Sequence, residues 1–220
     1  VDSVKKDNQV IKKAGRKGKL IIISAPSGSG KSTVIQKLLK RSKNIVFSVS
    51  YTTRNIRPGE RDGEDYHFIT HETFDKMVKQ GKFLEWATVY KNYYGTSKSD
   101  TRELVNRGID VLLDIDIQGA RQVSKGPFEC VKIFILPPSR ETLIQRLKKR
   151  GGLDKEQMHV RLKGALRELK GATEYDYIVL NDNVKMTVKT LEAIILSEKC
   201  KIVYNKTLLR QVIDSFGNGE

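Results

Sequence analysis

Cysteine is scarce in this chain: Cys130 and Cys200 are the only two in 220 residues. They lie far apart and lack metal-ligand spacing, so neither a disulfide framework nor a cysteine-based metal site is written here. Two buried thiols in a reducing compartment are the expectation. Long apolar runs are missing as well. No stretch approaches the roughly 18–20 residues of a membrane span, and the polar start carries no apolar core of a secretory signal. These absences point to a cytoplasmic chain without a membrane partner. Acidic residues are outnumbered, 26 Asp and Glu against 41 Lys and Arg, for a formal net charge of +15. Such a balance suits anionic partners: nucleotides, nucleic acid or an acidic membrane surface. A chain that simply places lysine on exposed faces has the same composition.

What is present reads as one globular α/β domain. Apolar residues make up 38% and charged residues 30%, the two interleaved in a way that disordered chains are not. Residues 1–18 form a basic, apolar-poor segment expected to be a flexible, solvated tail. Leu20–Ser24 is a continuous apolar run suited to a strand buried on both faces. A glycine-rich turn follows, then a helical stripe over Thr33–Arg41. Further strands are predicted at Ile45–Val49, Tyr66–Thr70, Phe83–Tyr90, Ile109–Ile117, Val131–Leu136 and Tyr177–Asn181. Helices are predicted at Thr73–Gln80, Ser99–Arg107, Ser139–Arg150, Lys155–Lys170, 184–200 and Lys206–Phe216. Alternation of strands and helices predicts a mostly parallel sheet flanked by helices. Residues 49–99 read as an insertion with more antiparallel character.

The turn Ala25-Pro26-Ser27-Gly28-Ser29-Gly30-Lys31-Ser32 matches the phosphate-loop pattern, with Ala25 in place of the first glycine. The composition has a chemical reason. Backbone N–H groups must converge on a polyphosphate, which calls for small residues. The helix that follows adds the partial positive charge of its N-terminus. Lys31 reaches the β- and γ-phosphates and Ser32 binds Mg²⁺. An alanine at position 25 costs little if its dihedrals are ordinary. The loop indicates ATP or GTP but not what is done with them.

Arg54 and Arg57 stand three apart in a polar loop, with Ser50 and Tyr66 as nearby hydroxyl donors. Guanidinium forks suit phosphate oxygens, although the spacing alone fits two solvated loop arginines equally well. Asp114 ends the apolar run Val111–Leu113, where an acid commonly stands near Mg²⁺. Asp116, two residues on, is expected on the same side of that strand. Trp86, the only tryptophan, is expected to pack in a core beneath the insertion. Arg146 and Arg150 share one helix face, which by itself reads as solvated.

Several of these stretches together carry a specific resemblance. The run Ser48–Phe68 (SVSYTTRNIRPGERDGEDYHF), Glu85-Trp86, Asn92-Tyr93-Tyr94-Gly95 and Leu113–Gly119, with the Ile-Ser-Ala-Pro-Ser-Gly of the loop, resemble the guanylate kinases in order and spacing over about residues 19–200. The resemblance implies a P-loop NTPase-type fold with an inserted GMP-binding subdomain and a helical lid. It divides the chain into a tail (1–18), a core (19–48, 100–139, 162–205), a GMP-binding insertion (49–99), a lid (140–161) and a C-terminal helix or tail (206–220). It implies that Ala25 to Thr33, Arg150 and Asn181 bind ATP. It implies that Ser50, Arg54, Arg57, Tyr66 and Tyr94 hold the GMP phosphate and its neighbours. Glu60, Glu85, Thr96 and Asp116 would line the nucleotide and guanine pocket, Thr96 keeping the hydroxyl of the more usual serine. Ser32 and Asp114 would hold Mg²⁺. Arg146 and Arg161 would close over the transferred phosphoryl group.

The implied reaction is ATP + GMP to ADP + GDP, reversible, Mg²⁺-dependent, with dGMP as a further acceptor and Lys31, Arg54, Arg57, Arg146 and Arg161 as the catalytic set. The implied partners are the two substrates alone, in a monomer or homodimer, with no specific nucleic acid. Three other readings compete: a non-catalytic guanylate-kinase-like binding module, a P-loop kinase for another acceptor, and a nucleic-acid-dependent ATPase. The presence of Lys31, Ser32, Arg146 and Arg161 weighs against the first, and the Glu85 and Asp116 pair against the second. The third has no recognition motif to support it.

Overall fold

A computed structural model describes residues 17–42, 44–89, 91–149 and 154–217. Most of the tail predicted for residues 1–18, the glycine pair at 151–152 and Arg150 lie outside them. The central strand is β1 (Leu20–Ser24), buried along its whole length. It lies parallel between β7 (Asp110–Asp114) and β8 (Cys130–Leu136), with Leu20 opposite both Val111 and Cys130. β2 (Ile45–Phe47) and β9 (Tyr177–Leu180) complete a five-stranded parallel sheet in the order β2-β7-β1-β8-β9. Apolar residues on alternate sides of these strands go to opposite layers. Ile21, Ile23, Leu112, Ile133 and Ile135 pack with Val34, Ile35 and Leu38 of α1 (Lys31–Arg41) and with Val188 and Leu191 of α7 (Val184–Cys200). Leu20, Ile22, Val111 and Leu113 pack on the other side with Val105 of α3 (Lys98–Asn106) and with Ala120 and Val123 of α4 (Ile117–Ser124).

α4 corrects the sequence reading. The strand predicted to run to Ile117 stops at Asp114, and Asp116 is the N-cap of α4, its Oδ1 accepting the Gly119 N–H at 2.9 Å. Asp116 therefore does not share a strand face with Asp114. The alternation Ile109–Ile117 imitates a strand past the point where the chain turns, and a capping aspartate outweighs it. The thiols are corrected too: Cys200 is exposed and Cys130 only partly buried.

The insertion has its own four-stranded sheet. Its strands are β3 (Tyr51–Thr52), β4 (His67–Phe68), β5 (Phe83–Val89) and β6 (Asn92–Ser97), in the order β4-β3-β6-β5; β3 and β6 are not among the strands read from the sequence. β5 and β6 form an antiparallel hairpin, and β3 joins β6 antiparallel. One face is covered by α2 (His71–Lys79), capped by the Thr70 hydroxyl. Phe74 of α2 is wholly buried and stacks on Phe83 at 4.5 Å, with Tyr93 at 5.3 Å. Trp86 meets these rings only edge-on and is 38% exposed, so it closes the rim of this small core and does not fill it. Phe74→Ala is expected to cost about 3–5 kcal/mol, as for other buried aromatics. Urea denaturation followed by Trp86 emission measures it, and a loss below about 1 kcal/mol would contradict Phe74 as the keystone of the insertion.

Two helices form the region predicted to be a lid: α5 (Arg140–Lys149) and α6 (Lys155–Lys170). Leu143 and Leu147 of α5 pack with Met158, Leu162 and Ala165 of α6. The far end of α6 belongs elsewhere, since Leu169 packs with Ile117, Phe134 and Ala172. α6 thus spans from the lid cluster to the main body. The chain ends its described part with α8 (Lys206–Gly217). Among the described residues no helix is long and apolar enough to cross a membrane.

Candidate active site

The phosphate loop runs from the carboxyl end of β1 into the first turn of α1. Gly28 and Gly30 sit at φ 93° and 92°, in the left-handed region that excludes side chains at little cost only for glycine. Space enforces the same choice: a Cβ on Gly30 would stand 2.6 Å from Asn181 Nδ2. Ala25 has no such positive φ, which accounts for alanine in place of the first glycine. The loop is held from behind. Ser29 O accepts hydrogen bonds from Arg146 Nη1 and Asn181 Nδ2, both at 2.7 Å. Asn181 is 1% exposed, and its Oδ1 accepts from the Thr187 hydroxyl. In this conformation Arg146 and Asn181 buttress the loop and lie outside the cleft lining. Ser29 Oγ is buried without a partner among the described residues, a polar atom that a bound phosphate oxygen could satisfy.

The loop opens into a cleft of about 400 Å³. Its walls combine Ala25 to Ser32 with Ser50, Arg54, Arg57, Tyr66, Tyr94, Glu85, Asp114, Asp116 and Arg161. A broader cavity of about 930 Å³ adjoins it and shares Ser27, Ser32, Arg54, Arg57, Tyr66, Tyr94, Asp114 and Arg161. Most of the sequence-predicted donor and acceptor residues therefore meet in one space, while Arg146 and Asn181 stand behind the loop and line neither cavity. Thr33 is an exception, being exposed and outside both linings. Glu60 lines only the broader cavity. Thr96 is fully buried, lines neither cavity and donates a hydrogen bond to Glu85.

On the acceptor side Glu60 organises the arginines. Its carboxylate takes two hydrogen bonds from Arg54, at 2.8 and 3.0 Å, and one from the Arg57 backbone N–H at 2.9 Å. Burial works against the Glu60 charge, but these donors outweigh it and hold the carboxyl below its usual range. The Arg54 guanidinium also lies 5.3 Å from the Tyr66 ring centroid. Burial pushes the Tyr66 hydroxyl up to about 12, so it remains a donor at neutral pH.

Glu85, Ala87 and Val89 alternate along β5 onto the cleft side. Glu85 is 4% exposed, and Thr96 Oγ1 donates to its Oε1 at 2.6 Å. Burial pushes its pKa to about 7, against the Thr96 hydrogen bond and with help from the negative charge of Asp116. A carboxyl raised in the folded state binds its proton more tightly there than in the unfolded chain. Its stabilising effect is complete below about pH 4.5 and is lost as pH rises through about 7. The Glu85→Gln variant is therefore expected to gain stability relative to the parent between pH 5 and 8. Paired thermal melts across that range check it, and a constant difference would contradict the raised pKa.

Lys31, opening α1, is ion-paired with Asp114 at the end of β7. Ser32 and Asp114 both face the cleft. They are hard oxygen donors of the kind Mg²⁺ takes alongside phosphate oxygens and water. Among the described residues there is no cluster of three or more metal-ligating side chains. The sequence reading missed Glu168. It lies seven residues after Arg161, two turns along the same face of α6, and both line the cleft. Burial raises its pKa to about 7, opposed by Lys31 and Arg161 and reinforced by Asp116. That i, i+7 spacing was the available signal.

A parallel sheet with a phosphate loop at the end of its central strand, facing an arginine-rich acceptor wall, defines a P-loop nucleotide-binding protein built for phosphoryl transfer. Comparison with known proteins narrows this. The family model described as guanylate kinase matches residues 17–198. The guanylate kinase of Carboxydothermus hydrogenoformans is 50% identical over 186 residues, 84% of this chain and 91% of that protein. That of Clostridium perfringens strain SM101 is 49% identical over 186 residues, 84% of this chain and 86% of that protein. The crystal structure of guanylate kinase from Anaplasma phagocytophilum superposes with a TM-score of 0.72 at 35% identity, covering 86% of this chain and 90% of that one. The chain belongs to the guanylate kinase family, whose reaction is phosphoryl transfer to GMP.

Proposed function

We propose that this cleft transfers the γ-phosphoryl group of ATP to GMP, reversibly, and accepts dGMP as well. The observation that carries the reading is the single cleft that joins the phosphate loop and Lys31 to Arg54, Arg57 and Glu85. The acceptor phosphate needs no general base, because a phosphate monoester with a second pKa of about 6 is already nucleophilic at neutral pH. The obstacle is repulsion between two polyanions. Arg54 and Arg57, with Ser50, Tyr66 and Tyr94, hold the acceptor phosphate. Lys31 turns from Asp114 to the donor phosphates, and Arg161 reaches from α6 to the charge between them. Arg146 and Asn181 keep the phosphate loop in shape. Ser32 and Asp114 would hold Mg²⁺, which when bound neutralises part of the charge on the donor phosphates. Glu85 accepts the N–H groups of guanine N1 and N2, an edge that adenine does not offer.

The insertion (49–99) and lid (140–161) would move toward each other around the two nucleotides, excluding water. The second sheet falls wholly within the proposed insertion, and the lid's apolar cluster runs on into α6 as far as Ala165. A cytoplasmic setting accords with nucleotide substrates and free cysteines. A coupled assay of ADP release over a panel of GMP, dGMP, AMP and UMP tests the reading. Turnover with AMP or UMP but none with GMP would sink it.

A further inference from the structure

β5 is an edge strand of the insertion sheet, and the backbone groups on its open side need partners. At Trp86, next to Glu85, both are taken by a single side chain. Gln122 Oε1 accepts the Trp86 N–H at 3.2 Å, and Gln122 Nε2 donates to Trp86 O at 2.7 Å. The carboxamide stands in for the peptide group of a missing neighbouring strand. Gln122 belongs to α4, which is anchored in the main body by Ala120 and Val123 and tied on its outer side to Glu174 through Arg121. One turn earlier, α4 presents bare backbone to the Glu85 carboxylate: a Cβ on Gly119 would come within 2.4 Å of Glu85 Oε2. The carboxylate is thus bounded by Gly119, held by Thr96 on one oxygen, and carried on a strand whose next residue is tied to α4.

We propose that Gln122 is a positioning residue for base recognition: its carboxamide fastens Trp86 to α4 and so sets where the Glu85 carboxylate meets the guanine edge. The inference rests on the reading of Glu85 as the guanine-binding carboxylate. A carboxylate that accepts two N–H groups side by side must be placed more closely than one that accepts a single N–H. Loosening β5 should therefore penalise GMP more than IMP, whose base lacks the 2-amino group. A general weakening of the fold would penalise both alike.

The chain's only tryptophan is Trp86, so nucleotide binding can be titrated by its emission without ATP. Gln122→Ala and Gln122→Met are expected to raise the GMP Kd about tenfold, the scale of one or two lost hydrogen bonds. The IMP Kd should move less than threefold and the ATP KM should stay the same. Gln122→Glu, which keeps the acceptor for the Trp86 N–H, should recover part of the GMP-to-IMP preference. Equal weakening of GMP and IMP, no weakening of either, or a parallel rise in the ATP KM overturns the proposal. Glu85→Gln runs alongside. If it leaves GMP binding intact, the guanine reading falls and this inference with it. If it abolishes the preference while the Gln122 variants match the parent, only this inference falls.

Discussion

Lys31→Met lowers kcat by about 10³-fold, the expected scale for removing one preorganised cationic donor from a phosphoryl-transfer site. Lys31 is half-buried and paired with Asp114, so the loop carries its countercharge before any nucleotide arrives. ATP must outbid Asp114 for the ammonium, and its phosphates must then approach the carboxylate that Lys31 has left. Removing Lys31 deletes the donor and leaves Asp114 facing the incoming anion, so the ATP KM should rise together with the fall in kcat. Lys31→Met/Asp114→Asn separates the two effects. Removing the repulsion should restore much of the ATP affinity but little of kcat, because the developing charge still lacks its donor. Steady-state kinetics of the parent, single and double variants decide it. A kcat loss below tenfold in Lys31→Met would show that the other cationic groups carry the transfer alone.

The second large effect belongs to Glu85. Glu85→Gln should lower kcat/KM for GMP by about 10³, the scale of two lost hydrogen bonds to a charged acceptor. The direction follows from Thr96, whose hydroxyl donates to Oε1. In the glutamine variant the amide oxygen stays with Thr96, which turns the NH₂ group toward the N–H donors of guanine. The same NH₂ suits the N1 lone pair of adenine, so activity with AMP should fall far less, or rise. A GMP-to-AMP preference that shifts by less than tenfold would remove Glu85 from base recognition. In the parent, the GMP KM should improve as pH rises through about 7, where the Glu85 carboxyl ionises. The glutamine variant should lose that limb and keep only the limb due to the acceptor phosphate near pH 6.

The phosphate loop was legible because its constraint is local: small residues, two left-handed glycines and a lysine at the start of a helix are all written in eight positions. β1 was legible because burial on both faces leaves an uninterrupted apolar run. Arg54 and Arg57 are visible in the sequence, and Glu60 is expected in the lining of the nucleotide and guanine pocket; that its carboxylate also grips both arginines appears only in the structure. Sequence spacing does not distinguish a carboxylate that meets a ligand from one that holds an arginine in place. α4 was hidden by an alternation that continues past the true strand end, and β6 by a polar, aromatic composition that owes its pairing to β5. Asn181 and Arg146 buttress Ser29 across more than a hundred residues of sequence. Contacts of that kind are created by the fold, and no window of sequence contains them.

The pairing of β1 has a consequence for how the molecule assembles. β5 and β6 are neighbours in sequence, Val89 facing Asn92, whereas Leu20 must find Val111 and Cys130. Closing a long loop costs entropy before its contacts repay it. The acceptor half is therefore expected to form first, from neighbours in sequence, and the ATP loop to take shape only when β1 slides between β7 and β8. Pulse-labelled hydrogen exchange during refolding should show amides of residues 83–97 protected before those of residues 20–24, and the reverse order would refute it. The last loop to be built would then be the one that holds the phosphoryl donor.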